Sequence, residues 1–140
     1  MVDSSPNSKF KILIVDDEPV IADTLLLIFQ SQGYGTQAAY SAETAIEAAK
    51  QQPPDLAVID VVLPQMNGID CAILLRGICP TCKIILFSGQ AATTDLLSAA
   101  RQSGHAFEIL AKPVHPREML ATASSLLAEA PAGESISPPD

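Results

Sequence analysis

Residues 11–19 read KILIVDDEP: a lysine, four apolar residues, three carboxylates in succession and a proline. The run ILIV is continuous rather than alternating, the pattern of a strand covered on both faces, as in a parallel sheet. A proline just after the acids suits the first turn of a helix. The stretch therefore predicts a buried strand that ends in charge and hands over to a helix. Asp16, Asp17 and Glu18 repel one another, so some other part of the chain must offset the repulsion.

The same unit recurs downstream. After β1 (11–15), residues 19–31 predict α1, with Val20, Ile21, Leu25 and Ile28 as its apolar face and Gly33 as its C-terminal stop. A weak strand β2 (34–39) precedes an alanine-rich helix α2 (42–51), capped by Ser41 and broken by Pro53 and Pro54. LAVID (56–60) is β3, followed by α3 (67–77), and KIILF (83–87) is β4, followed by α4 (91–102) with Gly104 beyond it. FEILA (107–111) is β5, and α5 (116–128) carries Met119, Leu120, Ala123, Leu126 and Leu127 on its apolar side. Five βα repeats with apolar strands predict an α/β fold, a doubly wound five-stranded parallel sheet with helices on both faces. In such sheets ligands sit beyond the carboxyl ends of the strands.

Composition sets the outer bounds. The 140 residues suffice for one domain with a core, and 48% apolar with 17% charged residues suits a compact chain rather than a disordered one. Residues 1–9, with three Ser, one Pro and one Asn, and residues 129–140, rich in Pro, Gly and Ser, read as a flexible lead-in and a disordered tail around a domain over 10–128. A net charge of −8 without any basic stretch argues against direct nucleic-acid binding. No apolar run approaches the roughly 18 residues of a membrane span, and the N-terminus lacks a secretory pattern. Three cysteines, an odd number, fit a reducing compartment, so a cytoplasmic location is expected.

The residues that end the strands carry the chemistry. β1 ends in Asp16-Asp17, β3 in Asp60, β4 in Ser88-Gly89 and β5 in Lys112-Pro113. Carboxylates converging from two strands offer hard oxygen ligands to Mg²⁺, which would offset their repulsion and leave positions for phosphate oxygens. A carboxylate beside the ion can act as a nucleophile and form an acyl phosphate. The Ser88 hydroxyl and Lys112 could hold the other oxygens of the transferred group, with Gly89 leaving room. Each residue also has a plainer reading. An acid near the start of α1 interacts favourably with the helix dipole, a role that suits Glu18 best. Asp60 and Ser88 could be turn residues, and Lys112 a surface lysine. Those readings would have to coincide independently at one rim.

This set of motifs resembles the receiver domain of two-component response regulators, over about residues 10–128. It comprises Asp16-Asp17, Asp60-x-x-x-Pro64-x-x-x-Gly68, Ser88-Gly89 and Lys112-Pro113, in order, at strand ends. The resemblance implies a flavodoxin-like receiver with strand order 2-1-3-4-5. It implies Asp60 as phosphoacceptor and Asp17 as the main Mg²⁺ ligand, with Asp16 assisting through water and the Val62 carbonyl completing the protein ligands. Ser88 would follow the phosphoryl group and Lys112 would pair with it. The donor would be a histidine kinase or phosphotransfer protein. Output would pass through the α4–β5–α5 face, roughly 91–128, to a partner protein or a second copy. Only a short tail follows, so the chain reads as a stand-alone receiver or an excised piece of a larger protein.

Departures matter too. The family commonly carries an aromatic switch residue three positions before the lysine, where this chain has Ile109; Phe107, two residues earlier, falls on the same side of the strand. Val62 and Gln90 occupy positions that in the family influence dephosphorylation, and an apolar Val62 would hinder water. Leu63 stands where Met often precedes the proline. Two rivals remain. A phosphoaspartate-type phosphatase would need Asp-x-Asp-x-Thr, but Asp60 is followed by Val61 and Val62. A degenerate receiver acting as a phosphorylation-independent binding module is favoured by Ile109 and opposed by the complete acid, hydroxyl and lysine set. Cys79-Pro-Thr-Cys82 has redox spacing but by topology lies at the opposite rim, and Cys71 is isolated in a helix, so these read as structural thiols. His105 and His115 flank β5 and read as surface residues.

Overall fold

The ILIV run becomes an interior strand of a five-stranded parallel sheet in a computed structural model, which describes residues 7–89, 98, 101–102, 104 and 107–129. The strands are β1 (Lys11–Val15), β2 (Gly35–Ala39), β3 (Leu56–Asp60), β4 (Lys83–Ser88) and β5 (Glu108–Ala111), in the order β2-β1-β3-β4-β5. The helices are α1 (Pro19–Ser31), α2 (Ala42–Gln51), α3 (Gly68–Ile78) and α5 (Pro116–Leu127). The expected α4 lies largely outside the described residues, of which Ser98, Arg101 and Gln102 are helical. Most of the expected lead-in and tail, together with Gln90 and His105, also lie outside them.

Alternation along the strands divides the interior in two. Leu13, Val15, Ala57, Ile59, Ile84 and Leu86 face α2 and α3, whereas Ile12, Ile14, Leu56, Val58, Ile85 and Phe87 face α1 and α5. Central β3 is buried at every position because helices cover both of its faces, while edge strand β2 keeps only Ala39 buried. That exposure explains why β2 is the weakest strand in the sequence. In α2 the four buried residues Ala42, Ala45, Ala48 and Ala49 let the helix approach the sheet closely. Ser41 caps it, its Oγ accepting from the Thr44 N–H at 3.1 Å. Gly33, at φ +92°, ends α1 as expected.

The apolar face expected for α1 is corrected at one position: Leu25 is buried and Ile21 and Ile28 pack against the core, but Val20 does not. The buried stripe is Ala22, Leu25 and Phe29, while Val20 is 79% exposed and Ile21 and Ile28 are only partly covered. Ala22 is small enough for the helix to settle on that side. Phe29 is fixed there by the edge of Tyr34, with ring centroids 5.6 Å apart. Two strand starts also shift: Tyr34 donates its N–H back to Phe29 O, so β2 begins at Gly35, and Phe107 precedes β5.

Candidate functional site

Parallel register brings the strand ends to one level. Val15 pairs with Ile59, Asp60 with Phe87 and Ser88 with Ala111, so Asp16, Asp60, Ser88 and Lys112 leave the sheet side by side. Asp16, Asp17 and Asp60 each bring a carboxylate oxygen within 4.8 Å of the others, the one such cluster of three among the described residues. Asp16 is fully buried and Asp60 nearly so, at 3% exposure, while Asp17 faces solvent.

The hydrogen bonds are unevenly distributed. The Glu18 N–H donates to Asp16 Oδ1 at 2.9 Å, but Asp16 Oδ2 is buried without a hydrogen-bond partner. A buried oxygen left this way is costly. Burial, reinforced by the charges of Asp60 and Asp17, pushes the Asp16 carboxyl up to about 6, against the opposing pull of the Glu18 N–H and Lys112. Asp60 is better served: Oδ1 accepts the Val62 N–H at 3.0 Å and Oδ2 accepts Lys112 Nζ at 2.9 Å. The donor set is entirely carboxylate oxygen with one buried lone oxygen, so these residues fit a hard divalent cation.

Two glycines shape the surroundings. A Cβ on Gly68 would lie 2.0 Å from Asp60 O, and the Gly68 N–H donates to Val61 O at 2.7 Å. The first turn of α3 thus rests directly on the backbone of Asp60, the physical reason for a glycine at that spacing. A Cβ on Gly89 would come within 3.4 Å of Lys112 Cβ. The resulting cleft, about 350 Å³, is walled by Asp17, Asp60, Val62, Pro64, Gly89 and Lys112. Ser88 closes β4 beside it, its carbonyl accepting the Lys112 N–H at 3.0 Å. Burial alone would lower the pKa of Lys112. The hydrogen bond and charge of Asp60, with the charges of Asp16 and Glu18, leave it raised, so the side chain is an ammonium at neutral pH.

Other singled-out residues fall elsewhere. Cys79 and Cys82 bracket the α3–β4 turn at the opposite rim, both buried; burial with the neighbouring Cys79 pushes Cys82 up to about 12, and burial pushes Cys71 up to about 11. Thiols held that high are poor nucleophiles. Phe107 lies against the Arg76 guanidinium of α3 at 4.9 Å, and Phe107 and Ile109 both pack on the α2–α3 side. Three roles escaped the sequence reading. Asn67 caps α3, Oδ1 accepting the Asp70 N–H at 2.8 Å, and His115 caps α5, Nδ1 accepting the Arg117 N–H at 3.1 Å. Phe87 lies beneath the Lys112 ammonium at 4.9 Å. A cap signal was available for α3, the asparagine before Gly68.

Comparison with known proteins agrees with this geometry. The sequence profile described as response regulator receiver domain matches residues 12–124. The chain is 32% identical over 116 residues to a probable transcriptional regulatory protein, TcrX, of Mycobacterium tuberculosis, covering 83% of this chain and 49% of that protein. It is 32% identical over 111 residues to the DNA-binding response regulator MtrA of Mycolicibacterium smegmatis, covering 79% and 47%. The chain thus spans about half the length of these curated relatives. A crystal structure of a response regulator receiver domain protein from Methanospirillum hungatei JF-1 superposes with a TM-score of 0.77 at 29% identity, covering 84% of this chain and 93% of that one. No described helix is long and apolar enough to cross a membrane.

Proposed function

The chain belongs to the response regulator receiver domains of two-component signalling, and on that premise we propose that it is a switch set by phosphorylation of Asp60. The donor is a histidine kinase or a phosphotransfer protein. One observation carries the reading: the Asp60 carboxylate is buried at the rim, held by Lys112 at 2.9 Å, inside a cluster of acids that leaves an Asp16 oxygen unpartnered.

In the reaction an Asp60 carboxylate oxygen attacks phosphorus, a P–O bond forms, and the bond from phosphorus to the donor nitrogen breaks with its electrons leaving on the donor. Asp16, Asp17 and Asp60, with the Val62 carbonyl, would hold Mg²⁺, which supplies charge neutralisation for the phosphoryl oxygens. The Val62 N–H orients Asp60 through Oδ1. Lys112 moves its N–H from Asp60 Oδ2 to a phosphoryl oxygen, and the Ser88 hydroxyl takes another. The changed positions of Lys112 and Ser88 then pull on the ends of β5 and β4. That pull alters the affinity of the α4–β5–α5 side for a partner protein or a second copy.

Intact mass after incubation with acetyl phosphate and Mg²⁺ tests this. One added phosphoryl group in the wild type, absent in Asp60→Asn, is expected; a wild type without an adduct overturns the proposal. That second outcome would favour a phosphorylation-independent binding module, the reading to which Ile109 at the usual aromatic position lends support. Strong turnover of phosphomonoesters would instead point to a phosphatase, which the apolar Val61 and Val62 after Asp60 disfavour.

A further inference from the structure

The Lys112 ammonium has a second neighbour besides Asp60. Its Nζ lies 2.9 Å from Asp60 Oδ2 and 4.9 Å from the centroid of the Phe87 ring, over its face. Phe87 is itself fixed. It is 2% exposed, sits in β4 in register with Asp60 on one side and Leu110 on the other, and is packed within the core beneath α1 and α5.

We propose that Phe87 is a positioning residue for phosphoryl transfer, its ring face holding the Lys112 ammonium at the level of the Asp60 carboxylate. This deepens the function proposed above and rests on it.

A lysine is a point charge on a four-carbon stem that loses considerable rotamer freedom when ordered. Its ion pair with Asp60 changes during the reaction, because phosphorylation converts that carboxylate into an acyl phosphate. The ammonium must then turn one N–H towards a phosphoryl oxygen without wandering, and Asp16 and Glu18 act on it from the same rim. The ring attracts the ammonium equally before and after transfer, since its quadrupole does not depend on the state of Asp60. The Lys112 side chain is 27% exposed, so water screens this attraction only in part.

The alternative is that Phe87 only fills the core, and fluorination separates the two. Mono-, tri- and pentafluorophenylalanine placed at position 87 alone keep the ring's shape and apolar character while progressively draining its negative face. The rate of phosphoryl uptake from acetyl phosphate with Mg²⁺, followed by intact mass, is expected to fall steadily along the series, by about three- to tenfold at the pentafluoro ring. The same series in a Lys112→Met protein is expected to show no gradient. A flat series in a wild type that does form the Asp60 adduct overturns the inference and leaves the proposed function standing. A gradient that persists without Lys112 overturns it too. A wild type that forms no adduct overturns both.

Discussion

The two rims of the sheet each carry a carboxylate on the backbone, and they are treated in opposite ways. At the amino-terminal rim Asp55 Oδ2 accepts the Lys11 N–H at 2.8 Å, the Asp55 N–H donates to Lys11 O at 2.8 Å, and Asp55 O accepts the Lys83 N–H at 2.9 Å. One aspartate thus ties the starts of β1, β3 and β4 together. At the carboxyl-terminal rim Asp16 is more deeply buried, yet one of its oxygens has no partner and two further acids stand close by. A half-buried carboxylate tied to the strand starts serves the fold. An unsatisfied one, crowded by its own kind, is a ligand in waiting, and its cost is borne by the rest of the core.

The largest break of this contrast is expected from Gly68→Ala. A Cβ placed 2.0 Å from the backbone oxygen of Asp60 forces α3 away from the site. Stability measured by urea unfolding should fall by about 3 kcal/mol or more, and phosphoryl uptake should be lost with it. Uptake at the wild-type rate would show that α3 does not set the position of Asp60.

The paired changes Asp55→Ala and Asp16→Asn sharpen it. Asp55→Ala removes the acceptor of the Lys11 N–H and should cost about 1–2 kcal/mol. Asp16→Asn removes a buried repelled charge and should stabilise the metal-free protein, while abolishing most of the rise in thermal midpoint caused by Mg²⁺. Destabilisation by both, measured in chelator, would show that Asp16 is as structural as Asp55.

A third expectation concerns pH. Burial raises Asp16 from 3.8 to about 6. A carboxyl raised in this way contributes stability that is fully present below 3.8 and lost as pH rises through about 6. Without metal, this part of the stability should therefore decline across that window. Mg²⁺ competes with the proton, so its stabilising effect should be small at pH 5 and grow through about 6. Asp16→Asn should flatten the trend, and a Mg²⁺ effect of equal size at both ends of the window would refute it.

The smallest effect is expected at Val62, which is 50% exposed at the mouth of the cleft. Replacing it by asparagine gives water a polar foothold and should shorten the half-life of the phosphorylated form, by less than about tenfold. A half-life that stays the same or lengthens counts against apolar shielding of the acyl phosphate.

Much of this could be read from the chain because parallel strands write their ends plainly. Four of the five strands terminate in a residue type whose chemistry differs sharply from the apolar run before it, so Asp16, Asp60, Ser88 and Lys112 were visible at once. What failed depended on orientation. In α1 the larger Val20 outweighed Ala22 by hydrophobicity, yet Ala22 is fully buried and Val20 faces outward. Phe87 is one apolar residue in KIILF, and nothing in the run shows that its ring, rather than that of any neighbour, lies beneath a lysine from another strand. Gly68 could be matched to a spacing, but the clash that requires it involves the backbone of Asp60, eight positions earlier. His115 has no strong capping reputation, so its imidazole escaped notice as the acceptor at the start of α5.

The Asp55 knot has one further consequence. With three adjacent strands pinned at their starting ends, the sheet resembles a hand fan riveted at the handle. Charge added or removed at the carboxyl-terminal rim would then act on the free tips of the ribs rather than on their fixed ends. Asp60 closes β3 and Ser88 closes β4 at the ends farthest from the rivet, so the proposed phosphorylation would act where these two strands have the longest lever arm.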